Sequence, residues 1–219
     1  MIFDWGFALE ILPALLQAAL VTLQCTLVGM SLALVLGLAW ALMRRSSRRI
    51  LAWPATWIVE FVRSTPLLVQ VYFLFYVLPE FGISWSPFVT GALGLGLHYS
   101  AYTAEVYRAG IDNVPSGQWE AARALNLGWM ETWKSVILPQ AVPPMVPALG
   151  NYLVGMFKET PILAAITVQE LLQTAKLIGA ESFRYLEPLT LVGLLFLLVS
   201  LSSAQLIGWL ESRTARVAS

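Results

Sequence analysis

Long uninterrupted runs of apolar side chains constrain this chain more than any other feature. Residues 19–43 carry no charge, and residues 186–210 carry only Glu187. The hydrocarbon core of a bilayer is about 30 Å thick, and a helix needs about 20 apolar residues to cross it. Hydrophobic residues fill 58% of the 219 positions and charged residues only 12%, too few for the surface of a soluble domain of this length. The sequence therefore predicts an all-α integral membrane protein.

Five membrane-spanning helices fit the apolar blocks, and the whole chain, 1–219, is predicted to be one transmembrane domain. The predicted limits of the spans are about 19–43, 53–78, 87–107, 141–157 and 186–210. Residues 167–178 are too polar to cross a membrane and predict a short amphipathic helix on the outer surface.

Basic residues set the expected orientation, because loops rich in Lys and Arg stay on the cytoplasmic side. With the N-terminus outside, the cytoplasmic side receives Arg44, Arg45, Arg48, Arg49, Arg108, Arg123, Lys134, Arg213 and Arg216. The outer side then receives Asp4, Glu10, Glu80 and Glu181, with only Lys176 and Arg184 as cations. We therefore expect the N-terminus outside and the C-terminus inside. The acidic N-terminus also predicts that no signal peptide is cleaved.

Composition and motifs argue against several classes of function. A net charge of zero leaves no basic face for nucleic acid. Cys25 is the single cysteine, so neither a disulfide nor a cysteine metal site is expected. The single histidine, His98, lies among small residues and is expected to be packed and hydrogen-bonded. No protease motif such as H-E-x-x-H or G-x-S-x-G occurs, so we predict no catalytic residue, no metal and no cofactor.

A polar segment rich in alanine and tryptophan, residues 112–139, separates the third and fourth spans. The predicted order is a helix over 117–125 capped by Ser116, a break at Asn126–Gly128, and a helix over 129–138 ended by Pro139. Ala121 and Ala122 are small enough to allow another surface to approach closely, and Glu120 places a charge beside them. At this point two interpretations are open: a docking element for a partner protein, or a connector that lies in the membrane interface.

The residues of this segment resemble a known family. Glu120-Ala121-Ala122, followed by Ile137-Leu138-Pro139, is similar to the EAA loop of the permease subunits of ABC importers. Asn126 stands where that family has glycine, and asparagine is the residue that next best tolerates the same turn. The stretches 61–70 (FVRSTPLLVQ) and 157–161 (FKETP) resemble the polar-amino-acid branch, although Ser64 replaces its usual glycine. Residues 71–83 and 166–193 resemble the ectoine/hydroxyectoine permease subunit within that branch.

The resemblance implies a permease in the bacterial inner membrane that carries a polar amino acid or related zwitterion. It implies two ATPase subunits, a second permease that is identical or homologous, and an outer solute-binding protein as partners. No G-x-x-x-x-G-K-[ST] motif occurs, so ATP would be bound by another chain. By the resemblance, the residues that couple to the ATPase are Glu120, Ala121, Ala122, Asn126, Gly128, Leu138 and Pro139.

Charges near the predicted spans mark a candidate transport pathway, because a charge in hydrocarbon is costly unless it faces a partner or a cavity. Glu60 and Arg63 lie on one helix face and form either a structural ion pair or part of the pathway. Lys158, Glu159 and Thr160 end the fourth span at a helix-breaking proline. They are either interfacial end groups or exposed contacts for a zwitterionic solute.

A self-sufficient secondary transporter is the main alternative. It is disfavoured by the small size of the chain, by the lack of an evident inverted repeat, and by the lack of a carboxylate well inside a span that could carry a coupling proton.

Overall fold

The structure of the protein, a computed structural model, describes residues 3–215, and this part of the chain is helical with no strand. Of the cations predicted to be cytoplasmic, Arg216 lies outside the described residues, as does the side chain of Arg213.

Helices follow one another with short connections along the described chain. They are α1 (Trp5–Arg44), α2 (Arg49–Ser64), α3 (Leu67–Tyr72), α4 (Pro87–Asp112), α5 (Ser116–Ala124), α6 (Trp129–Glu131), α7 (Leu138–Glu159), α8 (Leu171–Ser182) and α9 (Leu186–Ala215). A π-helical turn, Phe73–Val77, and a 3-10 turn, Leu78–Phe81, extend α3. A second π-helical turn, Thr132–Ile137, joins α6 to α7, and a 3-10 helix, Thr160–Ile166, follows α7.

The centre of the molecule is the seam between α1 and α4, which small residues close. A Cβ on Gly96 would lie 2.6 Å from a methyl carbon of Leu32, and a Cβ on Gly37 would overlap the hydroxyl of Thr103. That hydroxyl donates a 2.8 Å hydrogen bond to the Ala33 carbonyl of α1. Glycine and a cross-helix hydrogen bond are the usual means of packing helices in a membrane, where hydrophobicity cannot drive them together.

The second predicted span, 53–78, is not one continuous helix. α2 ends at Ser64, Thr65 is extended, and the helical axis turns by 107° before it continues from Leu67. Pro66 explains the break, since it lacks an N–H and forces the preceding residue out of the helical region. The Gln70 amide partly replaces the lost helical bonds by donating to the Val62 carbonyl at 2.8 Å.

The remaining predicted spans each coincide with a helix, although the structure changes their limits. The first helix begins at Trp5, the third runs on to Asp112, the fourth spans Leu138–Glu159 and the fifth runs on to Ala215. Within residues 3–215, only α1 and α9 are by themselves both long and apolar enough to cross a membrane. Counting each bent pair of helices as one span raises the number to four, so five spans remain a prediction.

Opposite ends of the molecule carry separate ion-pair clusters. At one end, Arg184 contacts Asp4 at 3.2 Å and Glu187 at 2.6 Å, which joins the start of α1 to the start of α9. At the other, Arg44 at the end of α1 contacts Glu105 of α4 at 2.6 Å. The predicted outer helix begins later than expected, at Leu171, and Arg184 shortly after it places it at the Asp4 end.

Candidate functional site

Helix α5 is attached to the rest of the protein by one face and leaves the other free. Ala122 is 2% exposed, and the Trp119 ring packs edge-on against Trp133 at 5.4 Å between centroids. Glu120 and Ala121 are exposed. Of the two alanines expected to receive a partner, Ala122 therefore packs inward against its own chain, and Ala121 with Glu120 forms the accessible surface.

The start of α5 differs from the prediction. Ser116 is the first residue of the helix, not its N-cap, and the preceding residue is Pro115. Proline fixes the extended entry into the helix but offers no side-chain acceptor for the first N–H groups.

The turn after α5 adopts the predicted left-handed conformation at Asn126, where φ is 53°. The Asn126 N–H donates to the Arg123 carbonyl at 2.9 Å, and the Leu127 N–H donates to the Ala122 carbonyl at 3.0 Å. This pair of bonds is a Schellman motif, in which the left-handed residue is usually glycine and sometimes asparagine. Gly128 has φ of −61°, so the turn does not require glycine there.

Pro139 does not end a helix, contrary to the prediction. The chain stays helical from Trp129 through Glu159, with the π-helical turn directly before the proline. In that turn the Leu138 N–H bonds to the Trp133 carbonyl, one residue farther back than in an α-helix. Because the hydrogen-bond register has already widened, the missing N–H of Pro139 breaks no regular ladder.

Large apolar side chains surround the accessible face of α5. Leu125 and Trp129 are each 72% exposed and Met130 is 68% exposed. A groove of about 680 Å³ lies between the end of α1 and this segment. Its lining residues are Leu42, Arg45, Ser116, Trp119, Arg123, Leu127, Trp129, Thr132 and Trp133.

Glu105 of α4 connects three helices near the end of α1 and is not among the residues predicted from the sequence. Besides Arg44, it contacts Arg63 of α2 at 3.4 Å and Arg108 of its own helix at 2.9 Å. Asp112 holds Arg108 at 3.0 Å and also pairs with Arg45. The spacing of three and four residues between Glu105, Arg108 and Asp112 was the available signal, since such residues share a helix face.

The predicted pair of Glu60 and Arg63 is present but open, with 3.8 Å between the guanidinium and the carboxylate. Arg63 lies closer to Glu105, and its guanidinium carbon is 5.8 Å from the centre of the Tyr102 ring, within cation–π range. Arg63 therefore contacts the carboxylate of Glu105 on one side and an aromatic region on the other.

Three rings form that region, Tyr99, Tyr102 and Tyr152, which we call the tyrosine cluster. Their centroids are 5.7 to 6.1 Å apart. At its far side the Tyr99 hydroxyl donates to Glu159 at 3.0 Å. Arg63 and Glu159, which the sequence could not place together, therefore flank one set of rings.

The other two residues predicted at the end of the fourth span differ from each other in burial. Thr160 is fully buried and its hydroxyl donates to the Phe157 carbonyl at 2.7 Å, so it closes the helix end. Lys158 is exposed, as is Glu159.

His98 lies beside the tyrosine cluster, and its Nδ1 is 3.2 Å from the Gln70 amide oxygen. Its side chain is packed and hydrogen-bonded, as predicted.

A further buried carboxylate, Glu170, lies outside the predicted spans. Glu170 is fully buried, and its oxygens accept hydrogen bonds from the Leu172 and Gln173 N–H groups at 3.0 and 2.6 Å. It caps the start of α8.

Comparison with known proteins identifies the family. The family model described as "binding-protein-dependent transport system inner membrane component" matches residues 33–216. The chain belongs to this family. It is 49% identical over 93% of its length to a probable amino-acid ABC transporter permease of Sinorhizobium fredii, of which it covers 88%. It is 36% identical over 98% of its length to a probable amino-acid ABC transporter permease of Bacillus subtilis, of which it covers 95%.

A solved structure agrees with these relatives. The crystal structure of an amino acid ABC transporter with histidines matches with a TM-score of 0.91 and 33% identity, over 97% of this chain and 100% of that one. The protein is therefore the inner-membrane permease subunit of a binding-protein-dependent ABC transporter, and the relatives named above are amino-acid permeases. It is not an enzyme, because ATP hydrolysis in this family belongs to a separate subunit; membership also implies a second permease and a solute-binding protein.

Proposed function

We propose that this permease imports a polar amino acid or related zwitterion, and that the free face of α5 is its contact with the ATPase. The observation that carries the proposal is that the residues of Glu120-Ala121-Ala122 face in different directions. Ala122 anchors the helix to the permease, while Glu120 and Ala121 face outward among exposed apolar side chains. A connector lying in the interface would instead turn its apolar face to lipid and keep Glu120 in water.

The assembly that follows has two permeases, identical or homologous, and two ATPases on the side of the membrane that carries α5. The N-terminus and the turn at Glu80 face outward, toward the solute-binding protein. The ion pairs support this orientation, since they place Asp4 and Arg184 at one end and Arg44 and Arg45 at the other. An importer coupled through α5 changes access when the ATPases close.

The pathway for the solute runs along the tyrosine cluster. A zwitterion offers one carboxylate and one ammonium group, and the cluster lies between the Arg63 guanidinium and the Glu159 carboxylate. Aromatic faces stabilise an ammonium group, and guanidinium binds carboxylate through paired hydrogen bonds. Lys158 and Glu60 stand at the margins of this route.

Docking is tested by purifying the ATPase with each permease variant. Ala121→Trp fills the contact with a bulky ring, and overpacking typically costs about 1–3 kcal/mol. Glu120→Lys reverses the charge at the same place. Both variants should release the ATPase or lose its stimulation while they insert and express normally.

Helix α8 supplies matched controls for both changes. Ala180 and Glu181 are also adjacent and exposed, but they lie at the opposite end of the molecule. Ala180→Trp and Glu181→Lys should therefore leave ATPase binding intact. Full ATPase binding by the two α5 variants would refute the docking proposal.

The pathway is tested by uptake in proteoliposomes. Glu159→Gln should impair uptake and leave ATPase association intact, whereas Glu80→Gln, a matched change at an exposed outer residue, should affect neither. Wild-type uptake in Glu159→Gln would make this carboxylate an interfacial end group. The solute panel should include ectoine and hydroxyectoine beside the polar amino acids.

Orientation is tested with an impermeant thiol reagent in a Cys25→Ala background. Glu80→Cys and Ser47→Cys introduce exposed positions at the two ends. They should react from opposite sides of the membrane, and labelling of both from one side would contradict the proposed topology.

A further inference from the structure

Helix α2 presents an apolar stripe to its surroundings. The stripe is formed by Ile50, Trp53, Trp57 and Phe61, which are 65 to 81% exposed. Their spacing of three, four and four residues places them on one helix face. The opposite face holds Ala55, Val59 and Val62, which are at most 4% exposed, and its two valines pack against Ala101 and Ala104 of α4. α2 is therefore fixed to the protein on one side and uncovered on the other.

The direction of α2 differs from that of a membrane span. Its 16 residues measure roughly 24 Å, and the chain turns by 107° into the following helix. α2 starts shortly after α1 ends, and Arg63 in its last turn reaches Glu105, the same carboxylate that pairs with Arg44. Because α2 starts just after α1 and its last turns pack beside Trp40 of α1, we infer that the helix lies along the membrane surface on the side where α1 ends.

The charges at the start of α2 are of two kinds. Arg44 and Arg45 are neutralised within the protein by Glu105 and Asp112. The next two arginines, Arg48 and Arg49, are exposed and form no ion pair within residues 3–215. Two cations that form no ion pair within the described residues therefore directly precede Ile50, the first residue of the stripe.

We propose that α2 is a binding site for anionic phospholipid in the leaflet where α1 ends. The stripe enters the boundary between headgroups and acyl chains, where tryptophan is favoured, and Arg48 and Arg49 bind the lipid phosphate. Clustered arginines next to an amphipathic helix are complementary to such headgroups. Under the orientation proposed above this is the cytoplasmic leaflet, but the site does not depend on ATPase docking.

The test measures tryptophan fluorescence of the full-length permease with its ATPase, titrated with brominated phosphatidylglycerol. The double variant Arg48→Gln with Arg49→Gln should weaken the apparent affinity for this lipid about thirtyfold. Each basic residue near a membrane surface contributes about 1 kcal/mol, and a change of 1.4 kcal/mol corresponds to about tenfold in affinity. Arg48→Lys with Arg49→Lys keeps the charge and should retain binding. Lys176→Gln removes an exposed cation at the other end and should change nothing.

Site assignment requires removing individual rings, because the chain has nine tryptophans. Trp53→Phe with Trp57→Phe should abolish the fraction quenched at low lipid concentration. Trp129→Phe, an equally exposed ring outside the stripe, should leave that fraction in place.

Three results would overturn the proposal. Equal quenching by brominated phosphatidylcholine, unchanged in the double glutamine variant, would show lipid contact without anionic selectivity. Absence of quenching at Trp53 and Trp57 by either lipid would show that protein, such as a second copy, covers the stripe. Full competition by inorganic phosphate at the same concentration would assign the arginines to a free anion. ATPase pull-down with the double glutamine variant should remain normal, which separates this site from the coupling contact.

Discussion

Helices α4 and α9 illustrate two different uses of an apolar helix. α9 is apolar enough to qualify as a span on its own. However, only 11% of its most apolar 18-residue stretch is buried within the chain. α4 does not qualify, because it contains glycines, hydroxyl groups and the charges at Glu105, Arg108 and Asp112. Nevertheless α4 is the central helix, and its Leu95, Ser100 and Thr103 are completely buried.

The difference teaches that hydropathy identifies the surface offered to lipid or to a partner, not the core. In a bilayer an exposed leucine loses nothing, so large apolar side chains can accumulate on α9. Close contact between helices requires small residues and satisfied polar groups instead. Substitutions of the same kind should therefore destabilise the protein strongly at the seam of α4 with α1 and only slightly in α9.

The largest effect is expected at the α1–α4 seam. Gly37→Leu places a side chain where even a Cβ overlaps Thr103, so we expect a loss of at least about 3 kcal/mol and little folded protein. Gly193→Leu is the control, since a Cβ at Gly193 of α9 meets no atom within 4 Å. Yield after size-exclusion chromatography in detergent compares them, and equal yields would mean that the seam is not closely packed.

Truncation of a leucine should give the next largest difference. Leu95→Ala removes a fully buried side chain and should lower the free energy of unfolding by about 2–5 kcal/mol. Leu198→Ala in α9, where the side chain is 64% exposed, should change it by less than about 0.5 kcal/mol. Thermal unfolding in one detergent measures both, and a similar shift for the two variants would erase the contrast.

A hydroxyl group sharpens the same comparison on a smaller scale. Thr103→Val removes the bond to the Ala33 carbonyl across the seam, and we expect a loss of about 1 kcal/mol. Among the described residues, the Thr190 hydroxyl of α9 bonds to the Leu186 carbonyl of its own helix alone, so Thr190→Val should be nearly neutral. If Thr103→Val unfolds at the wild-type temperature, the cross-helix bond does not stabilise the seam.

The smallest effect concerns the polar attachment between α1 and α9. The Phe7 N–H and the Arg184 guanidinium lower the pKa of Asp4 below its usual value near 3.8. A carboxylate with a depressed pKa stabilises the folded state above its unfolded pKa and loses that contribution as pH falls through the folded pKa. The difference in melting temperature between wild type and Asp4→Asn should therefore be present at pH 6 and shrink below pH 4. A difference that stayed constant to pH 3 would rule out the ionised Asp4 as its source.

Much of the architecture could be predicted because it depends on local patterns. The apolar block of α1 needs no knowledge of the rest of the fold, and neither does the left-handed turn at Asn126. The structure differs at two prolines: the predicted second span breaks at Pro66, and the helix predicted to end at Pro139 continues through it. The effect of each proline depends on the hydrogen bonds around it. At Pro66 the Gln70 amide replaces part of the lost helical bonding, and before Pro139 a π-helical turn has already shifted the bonding pattern.

The candidate site could be predicted only in part, for a related reason. The motif gave Glu120 and Ala121, but the inward packing of Ala122 depends on how Trp119 meets Trp133. Arg63 and Glu159 are far apart in sequence, and only the packing of α4 with its neighbours places the tyrosine cluster between them. No periodicity in the sequence encodes such a juxtaposition.

ATP hydrolysis by the assembled transporter tests the central claim most directly. The permease is combined with its ATPase and its solute-binding protein, and hydrolysis is measured with and without a panel of polar amino acids. We expect one such solute to stimulate hydrolysis in the wild type and in the control Leu198→Ala, which changes an exposed side chain of α9, and to have no effect in Ala121→Trp. Full stimulation in Ala121→Trp would contradict coupling through α5.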